Sequence, residues 1–132
     1  DKLCLMMFSG MTFCLILYMV LPNGLDIRPT AEAVGRDNLA MTIMKMLWSA
    51  DASVNVCPSI HCQSSGCMAL AFSQSRLAKD RPGWKVLAWV WAGLICASTV
   101  FTKQHSIIDV LCGLALVAVW VPVLYRPAKA KT

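Results

Sequence analysis

The 132-residue sequence has few charged residues and only two histidines. Charged side chains form 14% of the chain, whereas an average soluble domain has about 25%. Hydrophobic residues form 58% of the chain, and the mean hydropathy is +0.61. This composition excludes a disordered chain, a nucleic-acid-binding tail and an ordinary water-soluble globule.

Long uncharged stretches predict membrane-spanning helices. Residues 3–21 and 86–102 carry no charge, and residues 106–125 carry only Asp109. A spanning helix needs roughly 20 mainly apolar residues. A further stretch begins at residue 62 and is rich in Ser, Gln, Gly and Cys, which suits a helix inside a bundle, where small residues allow close contact. We predict an all-α, polytopic transmembrane helix bundle in one domain, residues 1–132, with spans at about 3–21, 62–78, 85–102 and 106–125.

The distribution of charge predicts the orientation of these spans. Residues 76–85 hold four bases and one acid, and the tail holds Arg126, Lys129 and Lys131 without an acid. Residues 22–60 hold three bases and four acids. Basic loops face the cytoplasm, so we predict a multi-pass protein of the cell membrane with residues 22–60 outside. The net charge of +5 then follows from topology, and we predict no nucleic-acid partner.

The outer segment 22–60 contains one predicted amphipathic helix, residues 39–50. Four apolar residues share a face of this helix: Leu39, Ile43, Met46 and Leu47. Asp37 or Asn38 can cap its start. We expect the helix to lie on the outer surface or to cover the loop, because it is too short to span.

The seven cysteines fit no zinc-binding pattern. Five lie in apolar segments, where a thiol behaves as a small hydrophobic group. The sequence does not decide whether Cys57 and Cys62 form a disulfide. We predict no metal and no cofactor. A metal centre built from His61, His105 and Asp109 is the alternative, although the cysteines are not placed to complete it.

The two histidines carry the chemistry that we predict. His61 begins the second span and His105 precedes the fourth, so the topology places both at the outer face. Asp109 follows His105 by four residues and shares its helix face. An ionisable side chain inside a span is costly and is by default functional. A carboxylate that accepts one imidazole N–H fixes the tautomer and makes the other nitrogen a better base or nucleophile.

Cations and helix-start amides are predicted at the same face. Lys103 lies two residues before His105, and Arg28 lies in the outer loop. Guanidinium and ammonium groups suit a phosphate, and Ser59 with the amides of residues 59–61 can add hydrogen bonds at a helix start. This combination favours phosphoryl transfer at a membrane surface.

Three short segments, in order along the chain, resemble the motifs of the type-2 phosphatidic acid phosphatase superfamily. Residues 27–30, IRPT, resemble the end of its KxxxxxxRP motif, and residues 57–61, CPSIH, resemble its PSGH motif. Residues 98–109, STVFTKQHSIID, resemble its SRxxxxxHxxxD motif with Ser, His and Asp in register. The resemblance covers about residues 3–125.

The resemblance implies a role for each matching residue. His105 is the implied nucleophile that forms a phosphohistidine, Asp109 orients it, and His61 acts first as an acid and then as a base. No metal is needed, because cationic side chains supply the positive charge. The implied phosphate-binding residues are Arg28, Ser59, Ile60 with its amide, Lys103 and Ser98.

The sequence also departs from the family pattern at three positions. Leu21 stands where the first motif has Lys, Thr99 where the third has Arg, and Ile60 where the second has Gly. Lys103 can replace one missing cation. Family members usually have six spans, so the resemblance implies that four of six are present here and that two N-terminal helices are missing.

The resemblance leads to three hypotheses about activity. The first is a membrane phosphatase acting on a lipid phosphate or diphosphate, phosphatidate-like or isoprenyl-diphosphate-like. The second is a lipid phosphotransferase with a lipid alcohol as acceptor, because residues 102–105, TKQH, are similar to the inositol-phosphoceramide-synthase-like branch. The third is a membrane protein that keeps the fold without turnover. The lipid itself, and whether the protein forms a homo-oligomer, stay open.

Overall fold

The computed structural model describes residues 1–36, 38–51 and 53–125. In these residues the chain forms helices and no strand beyond one isolated bridge between Gly24 and Val54. The helical membrane bundle that the sequence predicts is therefore confirmed for this part of the chain. The helices are α1 (Lys2–Val20), α2 (Ala31–Val34), α3 (Leu39–Ala50), α4 (Ile60–Ser73), α5 (Pro82–Phe101) and α6 (Ile107–Leu124). The predicted cap Asp37 and the basic tail residues Arg126, Lys129 and Lys131 lie outside the described residues.

Three helices, α1, α5 and α6, are long and apolar enough to cross a membrane. Large apolar side chains on them are exposed, such as Phe8 at 70% and Phe101 at 82%, as expected for surfaces that face lipid. Helix α4 has only 14 residues, below the usual range of about 17–25 for a span. It ends at Ser73, before the predicted end at residue 78, because the chain forms successive turns from Gln74 to Asp80. Pro82 then begins α5, the position in a helix that proline favours.

Helix α4 lies at the centre of the bundle and packs against α1, α5 and α6. Its small side chains permit this close packing. Cys67 and Leu70 form a core with Met6 of α1 and Val117 of α6. The fully buried Gln63 donates a hydrogen bond to the Met6 carbonyl at 3.2 Å. The polar sequence of α4 is thus accommodated by neighbouring helices.

Helix α3 has the limits that the amphipathic pattern predicts. The Asn38 side chain caps it by accepting a hydrogen bond from the Met41 amide at 2.9 Å. Of the predicted apolar face, Leu39, Ile43 and Met46 are exposed, whereas Leu47 is half-buried. The capping residue is therefore one of the two that the sequence offered.

The segment before α4 is fixed to the end of α1 by two polar side chains. The Tyr18 hydroxyl donates to the Pro58 carbonyl. The Asn23 side chain accepts the amides of Val56 and Cys57 at 2.8 and 2.9 Å and donates to the Cys57 carbonyl at 2.9 Å. These bonds set the position from which α4 begins.

Candidate active site

The two histidines meet at one end of the bundle, where α4 begins and the α5–α6 turn ends. His61 Nδ1 and His105 Nε2 are 3.3 Å apart, with ring centroids separated by 5.6 Å. His61 is exposed, whereas His105 is only 6% exposed. The structure therefore brings together two residues that are 44 positions apart in the sequence, as the topological argument predicts.

Serine caps start the two helices that carry the site. The Ser59 hydroxyl accepts the Cys62 amide at 3.3 Å and begins α4. Ser106 and Asp109 form a capping box at the start of α6: the Ser106 amide donates to Asp109 Oδ2 at 2.6 Å, and the Asp109 amide donates to the Ser106 hydroxyl at 3.3 Å. These caps satisfy helix-start amides, and they fix each histidine beside a helix start.

Asp109 lies behind His105 on the side away from His61. Its Oδ2 is 3.9 Å from His105 Nδ1, which is longer than a hydrogen bond. The Nδ1 atom is buried and has no hydrogen-bond partner. The Asp109 carbonyl also accepts the Ser59 amide at 3.0 Å, which links α6 to the start of α4.

The turn that carries His105 is held by Thr99. The Thr99 carbonyl accepts the amides of Gln104 at 3.0 Å and His105 at 3.1 Å, and the side chain is buried at 3% exposure. Lys103 adopts a left-handed φ of 58° within this turn, which is unusual for a residue other than glycine. This role of Thr99 could not be predicted from the sequence, because it depends on a backbone carbonyl.

The surroundings of His105 favour the neutral imidazole. Burial lowers the pKa of His105 from its usual 6.5, and the neighbouring His61 lowers this pKa further. Asp109 and Asp51 act in the opposite direction but do not overcome these effects. The neutral ring keeps a lone pair for nucleophilic attack.

Arg28 reaches the α5–α6 turn and is held there by the outer segment. Its Nη1 donates to the carbonyls of Trp48 at 3.0 Å and Asp51 at 2.7 Å. Its Nη2 forms an ion pair with Asp51 Oδ2 at 3.3 Å, and its Nε lies 3.5 Å from the Lys103 carbonyl. The Trp48 indole also donates to the Thr102 carbonyl at 2.7 Å. Helix α3 and the residues after it are thereby fixed against the turn that precedes His105.

A family model described as PAP2 superfamily matches residues 3–132. The chain belongs to the PAP2 superfamily. Members of this superfamily are phosphatases, which supports a phosphoric ester hydrolase in general terms. No curated protein and no solved structure matches the chain.

Membership in the PAP2 superfamily confirms the resemblance carried by the three motifs. The similarity to the inositol-phosphoceramide-synthase-like branch stays a prediction. The structure brings His61, His105, Asp109 and Arg28 to one end of the bundle. It places the exposed Lys103 on the α5–α6 turn, two residues before His105.

Three other predicted phosphate-binding residues have distinct environments in the PAP2 chain. Ser59 is fully buried, and its hydroxyl serves as the α4 cap. Ile60 is the first residue of α4, where helix amides have no partner within the helix. Ser98 is exposed near the end of α5, and its hydroxyl donates to the Ile95 carbonyl at 2.7 Å. Both serine hydroxyls are therefore engaged in bonds to the protein backbone.

The metal alternative finds no geometric support in the described residues, which contain no group of three His, Cys, Asp or Glu arranged to hold a metal ion. All seven cysteines are free thiols, including Cys57 and Cys62. Four residues support the site in ways that were not predicted from the sequence: Tyr18, Asn23, Asp51 and, through its carbonyl, Thr99. The Tyr18 hydroxyl is a weak signal of such a role, because the same span also contains Ser9 and Thr12.

Proposed function

We propose that the protein is an integral membrane phosphatase that hydrolyses a lipid phosphate or diphosphate through a phosphohistidine intermediate. The observation that carries this proposal is the 3.3 Å approach of His61 Nδ1 to His105 Nε2, with Asp109 behind His105. The two nitrogens lie within hydrogen-bond distance of each other, so the rings must separate for phosphorus to enter between them. A phosphate ester bound there contacts a nucleophile and a proton donor together.

The first step transfers the phosphoryl group to His105. The Nε2 lone pair attacks phosphorus, the bond from phosphorus to the lipid oxygen breaks, and protonated His61 gives its proton to that oxygen. The carboxylate of Asp109 accepts the Nδ1–H of His105 and stabilises the positive ring as it forms. The products are a lipid alcohol, or a lipid monophosphate from a diphosphate, and phosphohistidine.

The second step releases phosphate. His61, now neutral, takes a proton from water while the water oxygen attacks phosphorus. The phosphorus–nitrogen bond breaks, and His105 returns to its neutral form. The two histidines therefore exchange no net proton with the solvent over one cycle, apart from the ionisation of the released phosphate.

The phosphate oxygens meet a cationic rim. The guanidinium of Arg28 and the ammonium of Lys103 supply the charge, and the free amide of Ile60 adds a donor at the α4 start. The hydroxyls of Ser59 and Ser98 are the remaining candidates. These groups stabilise the charge that develops on the transferring phosphoryl group.

We also propose the topology of the active protein. Helices α1, α5 and α6 cross the cell membrane, and the central α4 crosses within the bundle as a fourth span. The basic segment 76–85 faces the cytoplasm, so the histidine pair faces the extracytoplasmic side. This places the reaction at the surface from which a lipid headgroup is accessible.

The test is phosphate release by the detergent-purified protein beside His105→Ala and His61→Ala. The substrates are phosphatidate, an isoprenyl diphosphate and a soluble aryl phosphate with a good leaving group. We expect His105→Ala to abolish release from all three. His61→Ala should lose lipid hydrolysis, form the covalent intermediate from the aryl phosphate, and accumulate it as an acid-labile, alkali-stable phosphohistidine, because the base of the second step is missing.

An excess of lipid alcohol separates hydrolase from phosphotransferase. Capture of the phosphoryl group in a new lipid would favour the phosphotransferase. The sequence TKQH at residues 102–105 is the feature that suggests this alternative. Wild-type activity in His105→Ala would overturn the mechanism. Folded protein that is silent on every substrate would favour a chain that keeps the PAP2 fold without turnover.

A further inference from the structure

A second cavity lies at the end of the bundle opposite the histidine pair, where α4 gives way to α5. It encloses about 570 Å³. Helix α4 begins beside the histidines and ends at Ser73, and its 14 residues correspond to about 21 Å of helix. Six residues line the cavity: Phe72, Arg76, Leu77, Asp80, Arg81 and Trp84. None of these six is a histidine, so the cavity is not part of the candidate active site.

The cavity is built on a segment of ordered turns, residues 72–84. Four backbone hydrogen bonds join residues three positions apart: the amides of Ser75, Ala78, Arg81 and Trp84 donate to the carbonyls of Phe72, Ser75, Ala78 and Arg81 at 2.9, 3.2, 3.2 and 3.1 Å. Ala78, in the middle of the segment, is fully buried. The turns therefore give the lining residues fixed backbone positions.

The two arginines of the cavity are available to bind an anion. Among the described residues, Asp80 is the one acid that lines the cavity, and neither Arg76 nor Arg81 forms an ion pair or a side-chain hydrogen bond. Arg28, by contrast, is paired with Asp51. A planar guanidinium binds phosphate oxygens through two parallel N–H donors, so the cavity offers a phosphate two such groups.

Apolar side chains stand beside these cations. Leu77 is 75% exposed and Trp84 is 49% exposed, and Phe72 is half-buried. Tryptophan is enriched where a membrane meets water, at the depth of the lipid headgroups. A free phosphate ion contacts only the arginines, whereas a phospholipid has a charged headgroup for the arginines and hydrocarbon for the exposed apolar side chains. The combination therefore favours a lipid.

The size of the cavity also favours a headgroup over a lone ion. Its volume of about 570 Å³ is that of roughly 19 water molecules at about 30 Å³ each. An inorganic phosphate would leave most of this space to solvent. A glycerophosphate group with the first methylenes of its chains fills more of it.

We propose that this cavity binds the headgroup of an anionic phospholipid from the cytoplasmic leaflet, with its phosphate on Arg76 and Arg81 and its chains beside Leu77 and Trp84. The lipid is a bound ligand and not a substrate, because no histidine lines the cavity. The inference uses the proposed topology, which puts residues 76–85 at the cytoplasmic face, and it is independent of the proposed reaction. Anionic lipids are concentrated in that leaflet, and basic pockets between spans bind their headgroups.

The experiment follows thermal unfolding of the detergent-purified protein as phosphatidylglycerol, an anionic phosphodiester, is added to the micelles. The test variant is Arg76→Gln/Arg81→Gln. The matched control is Lys79→Gln/Lys85→Gln, which removes the same charge from the same segment outside the cavity lining. We expect phosphatidylglycerol to raise the Tm of the wild type and of the control. The apparent Kd of the arginine variant should exceed that of the control by about tenfold or more, because two charge-assisted contacts are lost.

Three outcomes would overturn the proposal. Equal weakening in the two double variants would indicate a general attraction of basic residues to anionic micelles. Equal stabilisation by phosphatidylcholine would show that the cavity does not select an anionic headgroup. Stabilisation by inorganic phosphate that is lost in the arginine variant would assign the cavity to a free ion.

Native mass spectrometry gives a second measurement that does not depend on unfolding. One phosphatidylglycerol should stay bound to the wild type, to the lysine control and to His105→Ala, but not to the arginine variant. Several lipids retained equally by all four proteins would overturn the proposal. Wild type that hydrolyses the aryl phosphate but retains no phosphatidylglycerol would refute this inference alone, whereas wild type that retains the lipid without hydrolysis would refute only the proposed reaction.

Discussion

Arg28 and Asp51 form an ion pair at the edge of the histidine site, with Nη2 3.3 Å from Oδ2. The Asp51 carbonyl also accepts a hydrogen bond from Arg28 Nη1 at 2.7 Å. The residue that the family motif assigns to phosphate is therefore held by an acid from the end of α3. A phosphate that binds Arg28 must compete with this carboxylate, because both present oxygens to the same planar guanidinium.

Asp51→Asn should strengthen phosphate binding. The backbone contacts of Arg28 to Trp48 and Asp51 persist, while the competing negative charge is removed. We expect KM to fall several-fold with kcat little changed. The stability should change by less than about 1 kcal/mol, since partly exposed ion pairs contribute little. Steady-state kinetics on a lipid phosphate and thermal unfolding in detergent measure the two quantities.

Arg28→Lys is the companion change. It keeps the positive charge but loses the two-pronged donor, so KM should rise by about tenfold. If Asp51→Asn raises KM as much as Arg28→Lys does, then Asp51 positions Arg28 and does not compete with phosphate. That result would contradict the prediction.

The pH dependence should reflect the buried His105. Burial lowers the pKa of His105 below 6.5. Attack requires the neutral ring, and a lowered pKa keeps the ring neutral to more acidic pH. The rate of phosphohistidine formation from an aryl phosphate should therefore persist as pH falls through 6.5 and decline only below it. Rapid-quench measurements of the first turnover give the acidic limb of the pH–rate profile directly, because the proton transfers of the second step do not contribute.

Asp109→Asn tests the pKa of His105 by removing the negative charge beside its ring. Asp109 raises the pKa of His105, so its loss should move the acidic limb to still lower pH. The rate should also fall by about a hundredfold or more, because the carboxylate no longer orients and stabilises the ring. A limb that moves to higher pH would contradict this account.

The meeting of the two histidines could be predicted from sequence because it needs only topology. Charge placed residues 76–85 on one side, and span counting then put His61 and His105 on the other. Local helix starts were partly predictable, because Asn38 is a capping residue by type. The shared helix face of His105 and Asp109 was wrong: His105 lies before α6, which begins at Ile107, and Asp109 is held beside it by the capping box with Ser106.

The supports of the site could not be predicted, because they depend on distant backbone groups. Thr99 acts through its carbonyl, which every residue has. Asn23 binds residues more than thirty positions away, and nothing local marks this contact. The pairing of Arg28 with Asp51 likewise needs the path of the outer segment. The predicted end of the second span at residue 78 was wrong: the helix ends at Ser73 and turns follow, although the stretch stays uncharged to residue 75.

The hydrogen bond from Tyr18 to Pro58 should contribute to stability as well as to the site. Tyr18→Phe removes the hydroxyl and leaves the buried Pro58 carbonyl without this donor. We expect the free energy of unfolding to fall by about 1–2 kcal/mol, with a smaller loss of activity, because α4 begins two residues later. Tyr125→Phe is the control, since the Tyr125 ring contacts the Lys2 ammonium and phenylalanine keeps that ring. Equal effects of the two changes would argue against a special role for Tyr18.

Gly113 should not tolerate a side chain, because α6 contacts the start of α4 there. A Cβ there would lie 2.6 Å from the Ser59 carbonyl oxygen, which is backbone and cannot rotate away. Gly113→Ala must therefore separate α6 from the start of α4 and weaken the bond between the Ser59 amide and the Asp109 carbonyl. We expect a loss of about 1–3 kcal/mol in stability, together with a lower kcat, because Asp109 and His61 no longer keep their spacing.

Gly93→Ala is the matched control, because a Cβ at Gly93 meets nothing within 4 Å. It should be neutral or stabilise α5 by up to about 1 kcal/mol, since alanine favours the helix more than glycine does. Thermal unfolding in detergent and phosphate release from the aryl phosphate compare the two variants. If Gly113→Ala lowers stability but leaves kcat intact, the contact between α4 and α6 supports the fold alone, and the spacing of the catalytic groups is set by the Thr99 turn instead.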